Sequence, residues 1–150
     1  HFWWIHDAQW YQKVAENVGY DMANKINKEI LQHMAMRIAK TRVLIEKKDI
    51  PNMSFEDIVE FFCLNTSKMW PEDLLEFKYS ITGDDSFEVN ISKNFSHTML
   101  KKANSIENYS CPCLEIRAGW FDGMGITPKE NHVKQCMLNG AECCTIKARL

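Results

Sequence analysis

The sequence predicts one α+β domain, in which a layer of helices packs on an antiparallel β-sheet. Two observations support this fold class. Apolar residues recur at helical spacing through the first half of the chain, whereas two later segments alternate apolar and polar residues around a turn. Helices and hairpins come in blocks instead of alternating singly, an order that favours an antiparallel sheet. A length of 150 residues suits a single domain.

The composition excludes several classes of protein. With 45% hydrophobic and 25% charged residues, the chain can bury a core and is neither disordered nor collagen-like. A net charge of −2 provides no basic surface for nucleic acid or an anionic membrane. No apolar run approaches the ~20 residues that span a bilayer. The first residues also lack the features of a signal peptide, so we expect a cytoplasmic protein.

Two long helices are predicted first. The apolar pattern indicates a helix over residues 3–18, ended by Gly19, and a second over residues 21–47, ended before Pro51. The second helix carries an apolar stripe, which predicts its buried face. The residues of that stripe are Ala23, Ile26, Ile30, Leu31, Met34, Ala35 and Ile38.

A third helix is predicted to begin after Ser54, which suits an N-cap with Asp57 three residues later. Its apolar residues share one face, and they are Phe55, Ile58, Val59, Phe62 and Cys63. Cys63 is therefore expected in the core, because a free cysteine packs as a small hydrophobe.

A β-hairpin follows the third helix. Residues 77–81 and 87–91 alternate apolar and polar side chains on either side of Gly83-Asp84-Asp85. This pattern predicts two antiparallel strands that share one buried face.

The remainder of the chain returns to helices and then to a second hairpin. Helical spacing predicts helices over residues 94–108 and 113–123. The last hairpin would join residues 132–138 to 142–150 through a turn at Asn139-Gly140.

Five of the six cysteines cluster near the end of the sequence, at Cys111, Cys113, Cys136, Cys143 and Cys144. Without an export signal, such a cluster indicates metal ligation or catalysis more than disulfides. Reduced free thiols, a redox pair and a catalytic thiol remain alternatives.

The last hairpin brings two thiols together in either of two registers. A two-residue turn places Cys136 opposite Cys143, whereas a three-residue loop places it opposite Cys144. Another thiolate from the upstream Cys-Pro-Cys segment would complete a set typical of zinc. His132 precedes Cys136 by four residues on the same strand face, so it would supply a nitrogen ligand or a supporting hydrogen bond.

The segment from Cys136 to Cys144 contains Cys-x3-Gly-x3-Cys followed by an alternating strand, and it resembles the closing motif of the 4-vinyl reductase domain family. These prokaryotic small-molecule-binding domains share their fold with the haem domain that senses nitric oxide and with subunits of the TRAPP vesicle-tethering complex. The resemblance implies zinc held by Cys136, Cys144 and an upstream cysteine, and it implies a homodimer. Because the acidic ligand of related domains would fall near Val133, His132 or the spare upstream cysteine would replace it.

Candidate pocket residues are aromatic or histidine side chains, at Trp4, His6, Trp10, His97 and Trp120. On a helix His6 and Trp10 share a face and would form a pocket wall. The alternative is that the tryptophans anchor a core or an interface. His97 would be a ligand or base, or else a packed residue beside apolar neighbours.

These observations predict a module that binds a small, largely apolar molecule, with zinc stabilising the last hairpin. Two other functions stay open: a cysteine- or metal-dependent hydrolase of a small heterocycle, and a protein-interaction subunit without a ligand. The spacing assembles neither a Ser-His-Asp triad nor a pair of carboxylates. A binding function is therefore favoured over an enzyme.

Overall fold

Five α-helices and a four-stranded antiparallel sheet make up the computed structural model, which describes residues 2–68, 70 and 73–150, with the backbone alone for residues 2–5 and 7. The predicted α+β fold class is confirmed. None of the described helices is long and apolar enough to cross a membrane.

Helices α1 (Phe2–Val18) and α2 (Tyr20–Ile45) are separated at Gly19, as the sequence predicts. Gly19 has a φ of 86°, a conformation that side chains with a Cβ adopt only with strain. Its N–H donates to the carbonyl of Ala15, and its carbonyl accepts the N–H of Ala23, so Gly19 takes part in the last turn of α1 and the first turn of α2.

The buried face of α2 differs from the predicted stripe. Its fully buried residues are Ala23, Ala35 and Ala39. Ile30 and Met34, placed in the core by the sequence pattern, are 41% and 48% exposed. The reason is the partner helix α5 (Cys113–Met124), which approaches α2 closely enough that only small residues fit between them.

Glycines on α5 allow this close approach. A methyl group at Gly119 would collide with the Gln32 carbonyl oxygen, and one at Gly123 would collide with the Met36 carbonyl oxygen. Gly119 and Gly123 therefore serve the packing of α5 against α2.

Helix α3 (Phe55–Lys68) begins where predicted. The Ser54 Oγ accepts the backbone N–H of Asp57 at 3.1 Å, which is the predicted N-cap. Cys63 is buried in the core cluster, as expected.

The sheet consists of β1 (Leu75–Gly83), β2 (Ser86–Asn94), β3 (Glu130–Gln135) and β4 (Cys144–Arg149), in the order β1-β2-β4-β3. The predicted first hairpin is formed by β1 and β2, with Tyr79 opposite Val89 and Ile81 opposite Phe87. Its buried face is complete only on β2, where Phe87 and Val89 are buried; on β1, Phe77 packs against the core while Tyr79 and Ile81 are exposed. The cause is position, because β1 is an edge strand and β2 is central.

Helix α4 (Phe95–Lys102) is shorter than the predicted helix over residues 94–108. Asn94 caps its start, and the left-handed backbone of Asn104 follows its end. A single 3-10 turn at Ile106–Asn108 then leads towards α5. Helix α5 is capped by Gly125, whose φ of 72° is the left-handed conformation typical of a C-terminal cap.

The last hairpin has a longer connection than predicted. The β3–β4 ladder ends at Gln135 and Thr145, and a 3-10 turn at Met137–Asn139 follows, closed by Gly140 with a φ of 84°. The prediction of a two-residue turn at Asn139-Gly140 is therefore wrong.

An aromatic core joins α3, α5 and β2. Phe62 stacks on Phe121 with a centroid distance of 5.3 Å, and it meets Trp120 and Phe87 edge-on at 5.9 and 5.8 Å. This core holds α3 and α5 in fixed positions relative to the sheet. Both helices contribute to the candidate site.

Candidate ligand cavity and cysteine cluster

A cavity of about 250 Å³ lies between the helices and the sheet. Its wall is largely apolar and draws on every helix and on strands β1, β2 and β4; representative residues are Leu31, Phe62, Val89, Leu100, Ile116 and Ile146. A concave apolar space with few polar groups is the usual form of a small-molecule site.

Arg117 is a buried, charged residue in this largely apolar wall. Its side chain is 4% exposed, and Nε, Nη1 and Nη2 have no hydrogen-bond acceptor among the described residues. The guanidinium carbon lies 5.8, 5.1 and 5.7 Å from the ring centroids of Phe62, Phe87 and Phe121. Burial lowers the pKa of Arg117 to about 10, although the nearby thiols of Cys63 and Cys113 oppose this shift. An arginine buried without an acceptor is costly, which makes this position a candidate for ligand recognition.

Sequence reasoning missed Arg117. The available indication is its position on a helix otherwise rich in apolar residues, between Ile116 and Trp120. That pattern alone cannot distinguish a buried arginine from one whose end reaches water.

The structure gathers four cysteines from three places in the sequence. Cys111 precedes α5, Cys113 begins it, Cys136 follows β3 and Cys144 begins β4. The Sγ atoms of Cys136 and Cys144 lie 3.6 Å apart, and the thiols of Cys111 and Cys113 reach hydrogen-bond contact with Cys144. Cys136 thus lies beside Cys144, although the three-residue loop predicted with that register is replaced by a longer connection.

Hydrogen bonds within this cluster polarise the thiols. The pKa of Cys144 is lowered because Cys111 and then Cys113 donate to its sulfur, with a further bond from the Met137 backbone N–H. The pKa of Cys113 is raised, since it shares its proton with Cys111 and Cys144 and is buried. The thiolate form is therefore favoured at Cys144 and disfavoured at Cys113.

Two other predicted ligands lie outside the cluster. His132 is exposed on β3 opposite Lys147, whereas the clustered thiols are buried or half-buried. Cys143 instead accepts the Gln135 Nε2–H at 3.1 Å. The β-bulge between Val133 and Gln135 shifts the strand, so counting four residues back from Cys136 does not identify a neighbour.

Within the described part of the chain, no group of three or more His, Cys, Asp or Glu side chains is arranged so that it could hold a metal ion. The thiols are neighbours through hydrogen bonds, and zinc binding remains a prediction.

The predicted pocket residues divide into two groups. His97 and Trp120 line the cavity. His6 and Trp10 do not; both are exposed, Trp10 by 42%, which corrects the predicted pocket wall. Trp4 has a side chain outside the described residues. Helix α1 does contribute to the cavity, but through a different face that includes Tyr11.

The cavity and the cysteine cluster are adjacent. Cys111, Cys113 and Cys144 form part of the cavity wall, close to Pro112 and Leu138. Any change in the cluster therefore also changes one end of the cavity.

Comparisons with known proteins bear on the fold. No protein-family model matches the chain, and no curated protein matches it significantly. A crystal structure of trafficking protein particle complex subunit 3 from Naegleria fowleri, covalently bound to palmitic acid, superposes with a TM-score of 0.62 at 15% identity. The match covers 95% of this chain and 92% of that one. The chain is therefore similar in fold, over nearly its whole length, to a subunit of that complex.

Proposed function

We propose that this protein is a binding module for a small, largely apolar molecule, such as a fatty acyl chain. The observation that carries the proposal is the apolar cavity of about 250 Å³ enclosed between the helices and the sheet. Each methylene group moved from water into such a wall contributes about 0.8 kcal/mol. The palmitic acid held by the neighbour of similar fold supports the same class of ligand.

We further propose that the four clustered cysteines bind one zinc ion. Zinc–sulfur bonds of about 2.3 Å in a tetrahedron separate the sulfurs by about 3.8 Å. The separation of 3.6 Å between Cys136 and Cys144 is close to that spacing. Both residues also belong to the Cys-x3-Gly-x3-Cys motif that resembles the closing motif of the 4-vinyl reductase domains.

Such a site would stabilise the fold instead of catalysing a reaction. It would connect the start of α5 to the β3–β4 connection, two segments far apart in the sequence. Four thiolate ligands leave no open coordination position for water or substrate. For this reason we favour a binding function over the hydrolase.

The binding proposal is tested with decanoate and 1-decanol, which share one chain length. We expect the wild-type protein to bind at least one of them, as measured by titration calorimetry and by tryptophan fluorescence, since Trp120 lines the cavity. Ile116→Trp fills the cavity wall and should weaken binding at least tenfold. The control Ile45→Trp alters an exposed isoleucine at the end of α2 and should bind as the wild type does.

Two results would contradict this proposal. One is that neither compound binds the wild-type protein. The other is that Ile116→Trp binds the compounds as tightly as Ile45→Trp does, while circular dichroism shows that both variants are folded. The second result would place binding outside the cavity.

An interaction subunit is the second candidate, because α2 exposes an apolar stripe. Met22, Ile30 and Met34 follow one another at multiples of four residues, and each is at least 41% exposed. Exposed apolar rows of this kind are typical of protein interfaces. The neighbour of similar fold is itself a subunit of a complex. Because the resemblance to the 4-vinyl reductase domains implies a homodimer, we propose a second copy of this chain as the partner.

Sedimentation velocity tests this interface. The wild-type protein should form a dimer, and Ile30→Lys combined with Met34→Lys should convert it to a monomer. The control, Tyr79→Lys combined with Ile81→Lys, changes exposed residues on β1 and should leave the dimer intact. A wild-type protein that stays monomeric at all concentrations would contradict the homodimer.

A further inference from the structure

Two residues of the cavity wall, both on α5, carry N–H donors that lack acceptors. Arg117 has three nitrogen atoms without a partner, and Trp120 Nε1 is also unpaired, within the part of the chain that the structure describes. Both residues line the cavity and are buried. Buried donors normally have a hydrogen-bond acceptor, so unpaired donors on two residues of one wall indicate a missing acceptor.

The surrounding protein does not supply that acceptor. The guanidinium faces the rings of Phe62, Phe87 and Phe121, whose π-electrons attract a cation but do not replace in-plane acceptors for its N–H groups. Cys63 is the nearest thiol outside the cluster, and burial raises its pKa to about 12, so it remains protonated. A thiol is at best a weak acceptor for an arginine.

A carboxylate has the complementary chemistry. Its two oxygens accept two parallel N–H bonds from a guanidinium, and this charge-assisted pair gains strength in an apolar environment. Another part of the cavity wall is formed by Tyr11, Leu100 and Tyr109, which belong to an apolar cluster separate from the core around Arg117. A molecule with one anionic end and an apolar tail matches both parts.

We propose that Arg117 anchors the carboxylate of the bound molecule, so that the cavity selects fatty acids over uncharged apolar molecules of the same length. This inference rests on the proposed binding function and specifies its ligand class. The head group lies against α5, and the hydrocarbon tail extends towards α1 and α4.

Arg117 has one rival role, as a counter-charge for the cysteine cluster. Cys113 lies one helical turn before Arg117, and the two interact electrostatically. A counter-charge would stabilise thiolates or a metal site whether or not a ligand is bound. An anchor would instead cost stability until its ligand arrives, because a buried unpaired charge is unfavourable. The two roles therefore predict opposite effects of removing the charge.

The experiment compares decanoate with 1-decanol on the wild-type protein, Arg117→Met and Arg117→Lys. We expect the wild type to bind decanoate at least tenfold more tightly than 1-decanol. Arg117→Met should abolish that preference and leave the affinity for 1-decanol within threefold. Arg117→Lys keeps the charge without the planar fork and should retain part of the preference. Without ligand, Arg117→Met should melt at or above the wild-type temperature and carry the same amount of metal.

A measurement on the wild type alone guards against variants that fail to fold. With decanoate labelled with ¹³C at the carboxyl carbon, NMR should show the bound carboxyl still ionised at a pH where the free acid is protonated. A bound carboxyl that titrates like the free acid would overturn the anchor.

Other outcomes separate this inference from the proposed function. Equal binding of decanoate and 1-decanol by the wild type would overturn the anchor and leave the binding module intact. Binding of neither would overturn both. Loss of metal and of stability in Arg117→Met would assign Arg117 to the cysteine cluster and reject the anchor.

Discussion

Replacing Cys144 with serine is expected to abolish zinc binding and to lower the thermal midpoint of unfolding by about 10 °C or more. Cys144 lies 3.6 Å from Cys136, and Cys111 and Cys113 act on its pKa, so its loss removes the shared centre of the cluster. Structural zinc contributes about 10–16 kcal/mol in small zinc-finger peptides. Because this chain has its own aromatic core, it should lose only part of that free energy when zinc is absent. In a domain of this size, 1 kcal/mol shifts the midpoint by about 2–4 °C.

The adjacent cysteine provides a matched control. Cys143→Ser removes the same atom one residue away, from a side chain that contacts Gln135 and Thr145 instead of the cluster. We expect this variant to keep one zinc per chain and the wild-type midpoint. Metal content by elemental analysis and melting by circular dichroism, each before and after chelation, provide the comparison.

Alkylation of the thiols would separate the remaining alternatives. A structural zinc should protect the clustered thiols from iodoacetamide until a chelator is added. A protein without metal whose clustered thiols all react freely would contradict the zinc site. One fast-reacting thiol among protected ones would instead favour the cysteine hydrolase.

Replacing Gly119 with alanine is expected to destabilise the protein by about 1–3 kcal/mol, the usual cost of overpacking. The added methyl group would collide with the Gln32 carbonyl oxygen on α2 and would meet the Ala35 Cβ at 3.0 Å. The sign of the change in stability is informative, because alanine in a helix is otherwise about 1 kcal/mol more favourable than glycine. Urea denaturation measures the change, and Gly119→Val should lower stability further.

Gly125→Ala is the control for this substitution. A methyl group there meets nothing within 4 Å, so only the left-handed backbone at φ 72° opposes it. We expect a loss of about 1 kcal/mol from conformation alone. If Gly119→Ala instead raises stability, α2 and α5 do not pack at the distance described.

Local sequence information was sufficient for features that depend on neighbouring residues. The N-cap at Ser54 requires only a hydroxyl before the first turn and a free N–H three residues later. Gly19 separates two helices because its own backbone adopts a positive φ. The pairing of β1 with β2 follows from alternation around a short turn, although burial of β1 does not, since an edge position is decided by the whole sheet.

For the candidate site, the sequence by itself identified the clustered cysteines, but it missed Arg117 and did not determine which of the cysteines meet. It identified Cys136 and Cys144 through the motif, yet a bulge and a 3-10 turn excluded His132 and Cys143. Only the tertiary structure decided that α2 buries alanines and that Arg117 is buried in the wall of a cavity. The reason is physical: periodicity shows that a helix has an apolar face, whereas burial depends on the distance and shape of whatever packs against it.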